Sequence, residues 1–219
     1  MWLKGVVMKA HYNGLIPRNP FIQVHISPNV KEREYLTEDE LKAVMTHEFA
    51  DSKLAYIRDI FIFASFTALS FVDIQELTND NIVEVNGEKW ILSKRHKTKV
   101  AFQVKLLDIP LQIVERYRPM QKDNRIFPGL NYWSICKPLK RMIRECGITK
   151  SISFHCSRHG FATLALSREM PIESVSRVLG HTNIVTTQLY AKITTQKLDN
   201  DLTMFGDKLS KTFNGITMS

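Results

Sequence analysis

Hydrophobic positions along the chain change period twice. Thr37 stands three residues before Glu40, with Leu36 and Leu41 flanking, the arrangement of a capping box and hydrophobic staple, and predicts a helix over 36–46. The next apolar stretch, 52–66, is hydrophobic on nearly every side in its second half and reads as a helix at the centre of a core. From Asn81 the period becomes two. Ile82-Val83-Glu84-Val85, the turn dipeptide Asn86-Gly87 and Trp90-Ile91-Leu92 predict a hairpin, and a third strand is expected over 100–107. Helical spacing returns at 111–118, at 133–146 before Gly147, at 157–168, at 172–179 before Gly180, and at 184–194. A last amphipathic stretch, 197–209, suits packing in cis or against a neighbouring protomer. The expected fold class is α+β, mainly α-helical, with one small three-stranded antiparallel sheet.

The opening residues, 1–15, also show helical spacing, which Ile16-Pro17-Arg18-Asn19-Pro20 stops. Residues 17–34 read as a linker, so the expected organisation is a short appendage over 1–34 and one domain over 35–219. So short an opening helix cannot bury its own apolar face and reads as the tail of a preceding domain. The longest apolar run, 60–69, is broken by Ser65 and Thr67 and is a core helix rather than a membrane span.

Thirty Lys and Arg against 22 Asp and Glu give a formal charge of +8, which favours a polyanionic partner. The N-terminus has no signal-peptide pattern, and Cys136, Cys146 and Cys156 have no paired ligand spacing. A disulfide framework, a structural zinc site and export are all disfavoured, and a reducing cytoplasm fits.

Four clusters carry candidate chemistry. The link between the second and third strands, Ser93-Lys94-Arg95-His96-Lys97-Thr98-Lys99, is strongly basic. His155 and Arg158, three apart at a predicted helix start, share a face and can converge on one anion, the guanidinium offering a fork of donors to two phosphate oxygens. His155 and His159 also have the i, i+4 spacing of a helical zinc site, but Cys156 stands where a metalloprotease carries its glutamate, so no metal is expected. His181 follows the helix-ending Gly180, where the turning backbone can aim an imidazole into a cleft. Tyr190 has a phenol of ordinary pKa ~10, a poor nucleophile unless nearby cations favour its phenolate.

Together, His155-Cys156-Ser157-Arg158-His159 and Leu179-Gly180-His181-Thr182, with Tyr190 nine residues after His181, resemble the tyrosine recombinase (phage integrase) family over about residues 35–195. Within it the likeness is to integrases of bacterial conjugative and other mobile elements. Gly14-Leu15-Ile16-Pro17-Arg18-Asn19-Pro20 resembles the family's link from the core-binding to the catalytic domain. The resemblance implies a site-specific recombinase, for integration or excision of a mobile element, in which Tyr190 forms a 3′-phosphotyrosyl bond. It implies that Arg158, His155 and His181 bind the phosphate, with His155 also assisting proton transfer and His159 supporting the fold. Lys97, with Lys99 as its nearest rival, would protonate the leaving 5′ oxygen, while Lys94, Arg95 and Lys99 would touch the DNA backbone. No cofactor is implied. The partners the resemblance implies are double-stranded DNA and a homo-tetramer of the full-length protein on it, without a membrane, in a bacterial cytoplasm. The alternatives are a non-catalytic DNA-binding module of the same fold and type IB topoisomerase-like strand relaxation.

The sequence departs from the family at one place. Most members carry an arginine after a Thr-Gly-Leu turn; here Thr67-Ala68-Leu69 is followed by Ser70, while Asp73 matches the family's acidic residue three positions on. Arg58 is the candidate replacement, since it and Asp59 are the only charges from Leu54 to Val72, although a salt bridge to a nearby carboxylate explains it equally well. Twelve residues of unbroken helix would separate Arg58 from Ser70 by ~18 Å, so the chain must turn near Ala68 for the replacement to work.

Overall fold

A computed structural model describes residues 2–22, 34–121, 123–191 and 195–212, in two compact units, Met1–Glu32 and Arg33–Ser219. The first holds α1 (Trp2–Tyr12), none of whose residues is buried. The expected linker falls mostly on 23–33, outside the described residues.

The second unit is organised around one helix. Its first helix, α2 (Glu38–Thr46), starts at the expected box: Glu40 N–H donates to Thr37 Oγ1 at 3.3 Å and Thr37 N–H to Glu40 Oε2 at 2.8 Å. Next, α3 (Ser52–Thr67) carries Ile57, Ile60, Phe61, Phe63 and Ala64 almost wholly out of solvent. It packs against α2, α5 (Asp108–Tyr117), α6 (Tyr132–Glu145) and α7 (His155–Ser167), which explains why its sequence is apolar on nearly every side. The edge-on pairs Phe61–Phe154 and Phe63–Phe127 lock the surrounding segments onto it.

The turn near Ala68 is present. Thr67 ends α3, Ala68 takes a left-handed conformation (φ 56°), and α4 (Phe71–Gln75) begins at once with Ser70 as its N-cap and Asp73 closing a capping box. The sheet is β1 (Ile82–Val85), β2 (Glu88–Lys94) and β3 (Ala101–Lys105), antiparallel in chain order. Asn86 and Gly87 both have positive φ, as a type I′ turn requires. The fold class is therefore the expected one. Then come α8 (Ile172–Leu179), closed by Gly180 at φ 63°, the short α9 (Val185–Gln188) and α10 (Thr195–Thr212).

The clearest departure is α9, a single turn where 184–194 was expected to be helical. Residues 192–194 lie outside the described residues. Within the described part, β-branched Val185, Thr186 and Thr187 give little helical propensity. The Thr187 side chain is turned inward to His181, and Leu189 is exposed where a continuing amphipathic helix would bury it.

Asp59 shows how α3 is tied down. Its buried carboxylate accepts from Arg58 Nε at 2.9 Å, Arg116 at 2.7 Å and the Tyr117 hydroxyl at 2.7 Å, joining α3 to α5. Removing the carboxylate strands the buried Tyr117 hydroxyl and takes the carboxylate partner from the half-buried Arg58, while the exposed Arg116 can turn to solvent. Asp59→Ala is expected to lower the unfolding free energy by about 3 kcal/mol in urea titration, the scale of breaking a buried pair from one side.

Candidate active site

The site gathers where the turn after α3, the β2–β3 hairpin and the C-terminal end of α8 meet α7. Arg158, on the inner face of α7, is 8% exposed; one terminal nitrogen donates to the Ala68 carbonyl at 3.0 Å and the other to the Leu179 carbonyl. The left-handed turn at Ala68 and the helix end at Leu179 thus present carbonyls to one guanidinium. Burial, then repulsion from Arg95, pulls the Arg158 pKa down to about 10, with Tyr190 and Asp73 opposing the fall. Arg158 stays charged at neutral pH.

Arg95 turns inward from the basic loop, unlike Lys94, Lys97 and Lys99. It was expected among the DNA-backbone contacts of the basic loop, yet it is 5% exposed at the base of the β2–β3 turn. One terminal nitrogen donates to Asp73 Oδ2 at 2.7 Å and the other to the Val178 carbonyl at 2.6 Å. Its guanidinium carbon lies 4.0 Å from the centroid of Phe102. The cause is strand parity: Ile91 is buried, Leu92 exposed, Ser93 half-buried, Lys94 exposed, and Arg95 again faces inward.

Asp73 is the counterion of this corner. Its carboxylate takes hydrogen bonds from Arg95, from Ser70 Oγ at 2.7 Å and from His96 N–H at 2.9 Å. Burial works to raise the carboxyl pKa, but the bonds from His96, Arg95 and Ser70 together hold it below its ordinary value. Ser70 itself has no charge to offer and acts as the cap of α4.

His181 follows Gly180 directly and accepts or donates a 2.9 Å hydrogen bond between Nδ1 and the buried Thr187 hydroxyl. Burial, followed by the positive charges of Arg158 and Arg95 and then His155, lowers its pKa to about 4. Its imidazole is neutral at physiological pH. Gly180 is required here on two counts: its φ is positive, and a Cβ would sit 2.9 Å from Arg95 Nε and 3.0 Å from Arg95 Cγ.

Tyr190 is half-buried just after α9. Its ring packs edge-on against His159 at 4.9 Å, and His159 against His155 at 5.1 Å. His159 therefore touches the candidate nucleophile as well as the fold. His155 is exposed in the first turn of α7. The structure thus brings Arg158, His181, His155 and Tyr190 to one locality, together with Arg95 and Asp73. Lys94, Lys97 and Lys99 are exposed around the hairpin tip, which is closed by Arg95 N–H to Val100 O and Lys99 N–H to Arg95 O, both at 2.8 Å.

Arg58 is not brought to this site. Its Nε is bound to Asp59 and another nitrogen donates to the His47 carbonyl at 2.8 Å, with Phe49 beneath its guanidinium. Of the two readings of Arg58, the salt bridge holds, and the carboxylate is that of the adjacent Asp59. The sequence reading also missed Thr187, for which a lone threonine six residues after a histidine gives no warning. Among the described residues no three His, Cys, Asp or Glu side chains are gathered as a metal site, and no helix is long and apolar enough to cross a membrane.

The depressed His181 pKa sets a pH dependence. Between about pH 6.5 and 4 the unfolded chain takes up a proton on this residue that the folded chain refuses, so the folded state loses relative stability as pH falls through that window. The Tm advantage of the wild type over His181→Gln is expected to narrow between about pH 7 and about pH 4.5; an advantage that grows on acidification would contradict this origin of the shift.

Comparison with known proteins places this geometry. The model of the phage integrase family matches residues 34–197. The tyrosine recombinase XerA of Pyrococcus horikoshii is 32% identical over 177 residues, covering 74% of this chain and 58% of that protein. The tyrosine recombinase XerC of Lactobacillus leichmannii is 26% identical over 211 residues, covering 90% of this chain and 71% of that one. Among solved structures, the Tn1549 transposon integrase in complex with a circular intermediate DNA superposes with a TM-score of 0.78 at 17% identity, over 92% of this chain and 76% of that one. A lambda integrase dimer bound to a core site gives 0.69 at 18% identity, over 86% of this chain and 56% of that one, a likeness of fold. With three quarters of its length matched by the family model and its motifs assembled in one pocket, the chain belongs to the phage integrase family of tyrosine recombinases.

Proposed function

We propose that this chain breaks and rejoins DNA strands at specific sites, with Tyr190 as the nucleophile. The observation that carries the reading is the meeting of the buried Arg158 guanidinium, the neutral His181 imidazole and the Tyr190 phenol at the end of α8. A phosphodiester supplies the negative charge that the two carbonyls bound by Arg158 do not, and donors already in place need no reorganisation as charge grows in the pentavalent transition state.

In the reaction, Tyr190 Oη forms a bond to the scissile phosphorus while the bond to the 5′ oxygen breaks and its electron pair stays on that oxygen. Lys97, at the tip of a hairpin pinned two residues earlier by Arg95, supplies the proton that the leaving oxygen takes. His181, with a pKa of about 4, is too weak a base to accept the phenol proton at neutral pH and acts as a neutral hydrogen-bond donor to a non-bridging oxygen. Thr187 positions it: a hydroxyl donating into Nδ1 leaves the ring proton on Nε2. His155, exposed in the first turn of α7, takes up the phenol proton. The 3′-phosphotyrosyl bond keeps the phosphoester energy, and a 5′ hydroxyl from another strand reverses the step.

The relatives named as tyrosine recombinases, and the transposon and lambda integrases solved with DNA, support double-stranded DNA as the partner. In this reading the protein works as a homo-tetramer on its recombination site, in a bacterial cytoplasm, to integrate or excise a mobile element. In the same reading, residues 1–34 are the tail of a core-binding domain and the linker after it.

The test is a nicked suicide duplex, selected from a random-sequence library by binding to the protein. Wild-type chain is expected to form a covalent adduct resolved on a denaturing gel, and Tyr190→Phe to form none while binding the duplex equally well. An adduct that persists in Tyr190→Phe, or none in the wild type, would refute the assignment.

A further inference from the structure

We propose that Arg95 is a catalytic residue whose guanidinium binds a non-bridging oxygen of the scissile phosphate, filling from the hairpin the role that an arginine at the position of Ser70 has in most of the family. This rests on the phosphotyrosyl reading above.

Location is the first argument. Asp73, the acidic residue that matches the family's, bonds to both Ser70 and Arg95, so the Arg95 guanidinium reaches the same carboxylate that the Ser70 side chain caps. Arg95 and Arg158 donate to the Val178 and Leu179 carbonyls, consecutive acceptors at the end of α8, with His181 two residues further on. Two guanidiniums from distant parts of the chain therefore lie side by side at the pocket where the phosphate is placed.

Charge is the second. Arg158 donates to two neutral carbonyls, and the carboxylate at this corner, Asp73, is bound to Arg95. Two buried positive charges thus share one negative one. A surplus of this kind is costly unless an anion completes it, and a phosphodiester carries the single charge required. The repulsion felt by Arg158 and by His181 from Arg95 is the same surplus seen from its neighbours.

Donor capacity is the third. A guanidinium has five N–H bonds, and the Asp73 and Val178 contacts occupy two of Arg95's. Its Nε is buried without a hydrogen-bond partner among the described residues. A guanidinium kept only as a structural staple would leave less unsatisfied. Phe102 beneath it and the bare Cα of Gly180 beside it fix the plane while leaving room for the side chain.

The bland alternative, a hairpin anchor with no contact to phosphate, makes a different prediction for a substrate whose charge has been removed. The full chain is assayed for Tyr190 adduct on the selected nicked duplex in two forms, one with an ordinary scissile phosphodiester and one with a methylphosphonate there, which lacks the charge of one non-bridging oxygen. Arg95→Ala is expected to slow adduct formation at least about 100-fold on the phosphodiester but less than about 10-fold on the methylphosphonate. Arg95→Lys preserves a partner for Asp73 and guards against an alanine variant that fails to fold; it should lose at least about 10-fold on the phosphodiester and recover on the methylphosphonate, because a point charge does not reproduce the fork. Equal losses on the two substrates, or no loss, in the folded variant would overturn the proposal while leaving Tyr190 in place. A wild-type chain that forms no adduct would overturn both.

Discussion

The buried ion pair between Asp73 and Arg95 holds the working end of this domain together. It links the cap of α4 to the base of the β2–β3 hairpin, and through the Val178 carbonyl it ties both to α8. An exposed pair would add little to stability. This one has side chains only 6% exposed at either end, so losing one partner would strand a charge in the core. The turn after α3, the hairpin with Lys97 and the helix end that places His181 all depend on it.

Around that pair the domain concentrates positive charge without matching it. Arg158 enters from α7 and rests on the carbonyls of Ala68 and Leu179, one at a left-handed turn and one at a helix C-terminus. Partial negative charge at such carbonyls steadies a guanidinium but does not cancel it. The consequence appears at His181, whose imidazole is kept neutral by burial and by the neighbouring cations. The same field that keeps His181 unprotonated favours a phosphate and a phenolate.

Much of the fold was legible because local rules agreed with global packing. The Thr37–Glu40 box, the Asn86-Gly87 turn and the Gly180 helix end all sit where side-chain chemistry leaves few alternatives. The recombinase motifs were legible too, since Arg158, His181 and Tyr190 keep fixed spacings. Arg95 was hidden by its company. The six other residues of 93–99 look like a solvated basic and polar loop, and the apolar run Trp90-Ile91-Leu92 obscures which parity faces inward. Arg58 misled for the opposite reason: an arginine in an apolar helix does demand a partner, but adjacent Asp59, shared with α5, already provides one. Sequence shows that a charge must be satisfied, whereas tertiary packing decides by whom.

The central claim is that a phosphate completes the charge of a pocket built from two guanidiniums and one carboxylate. Its most direct test is a crystal structure of the Tyr190→Phe chain on its nicked duplex. The account predicts nitrogens of both Arg95 and Arg158 within about 3.2 Å of non-bridging oxygens of one phosphate, with the Asp73–Arg95 pair intact. A phosphate held by Arg158 and His181 while Arg95 contacts only Asp73 and Val178 would contradict it.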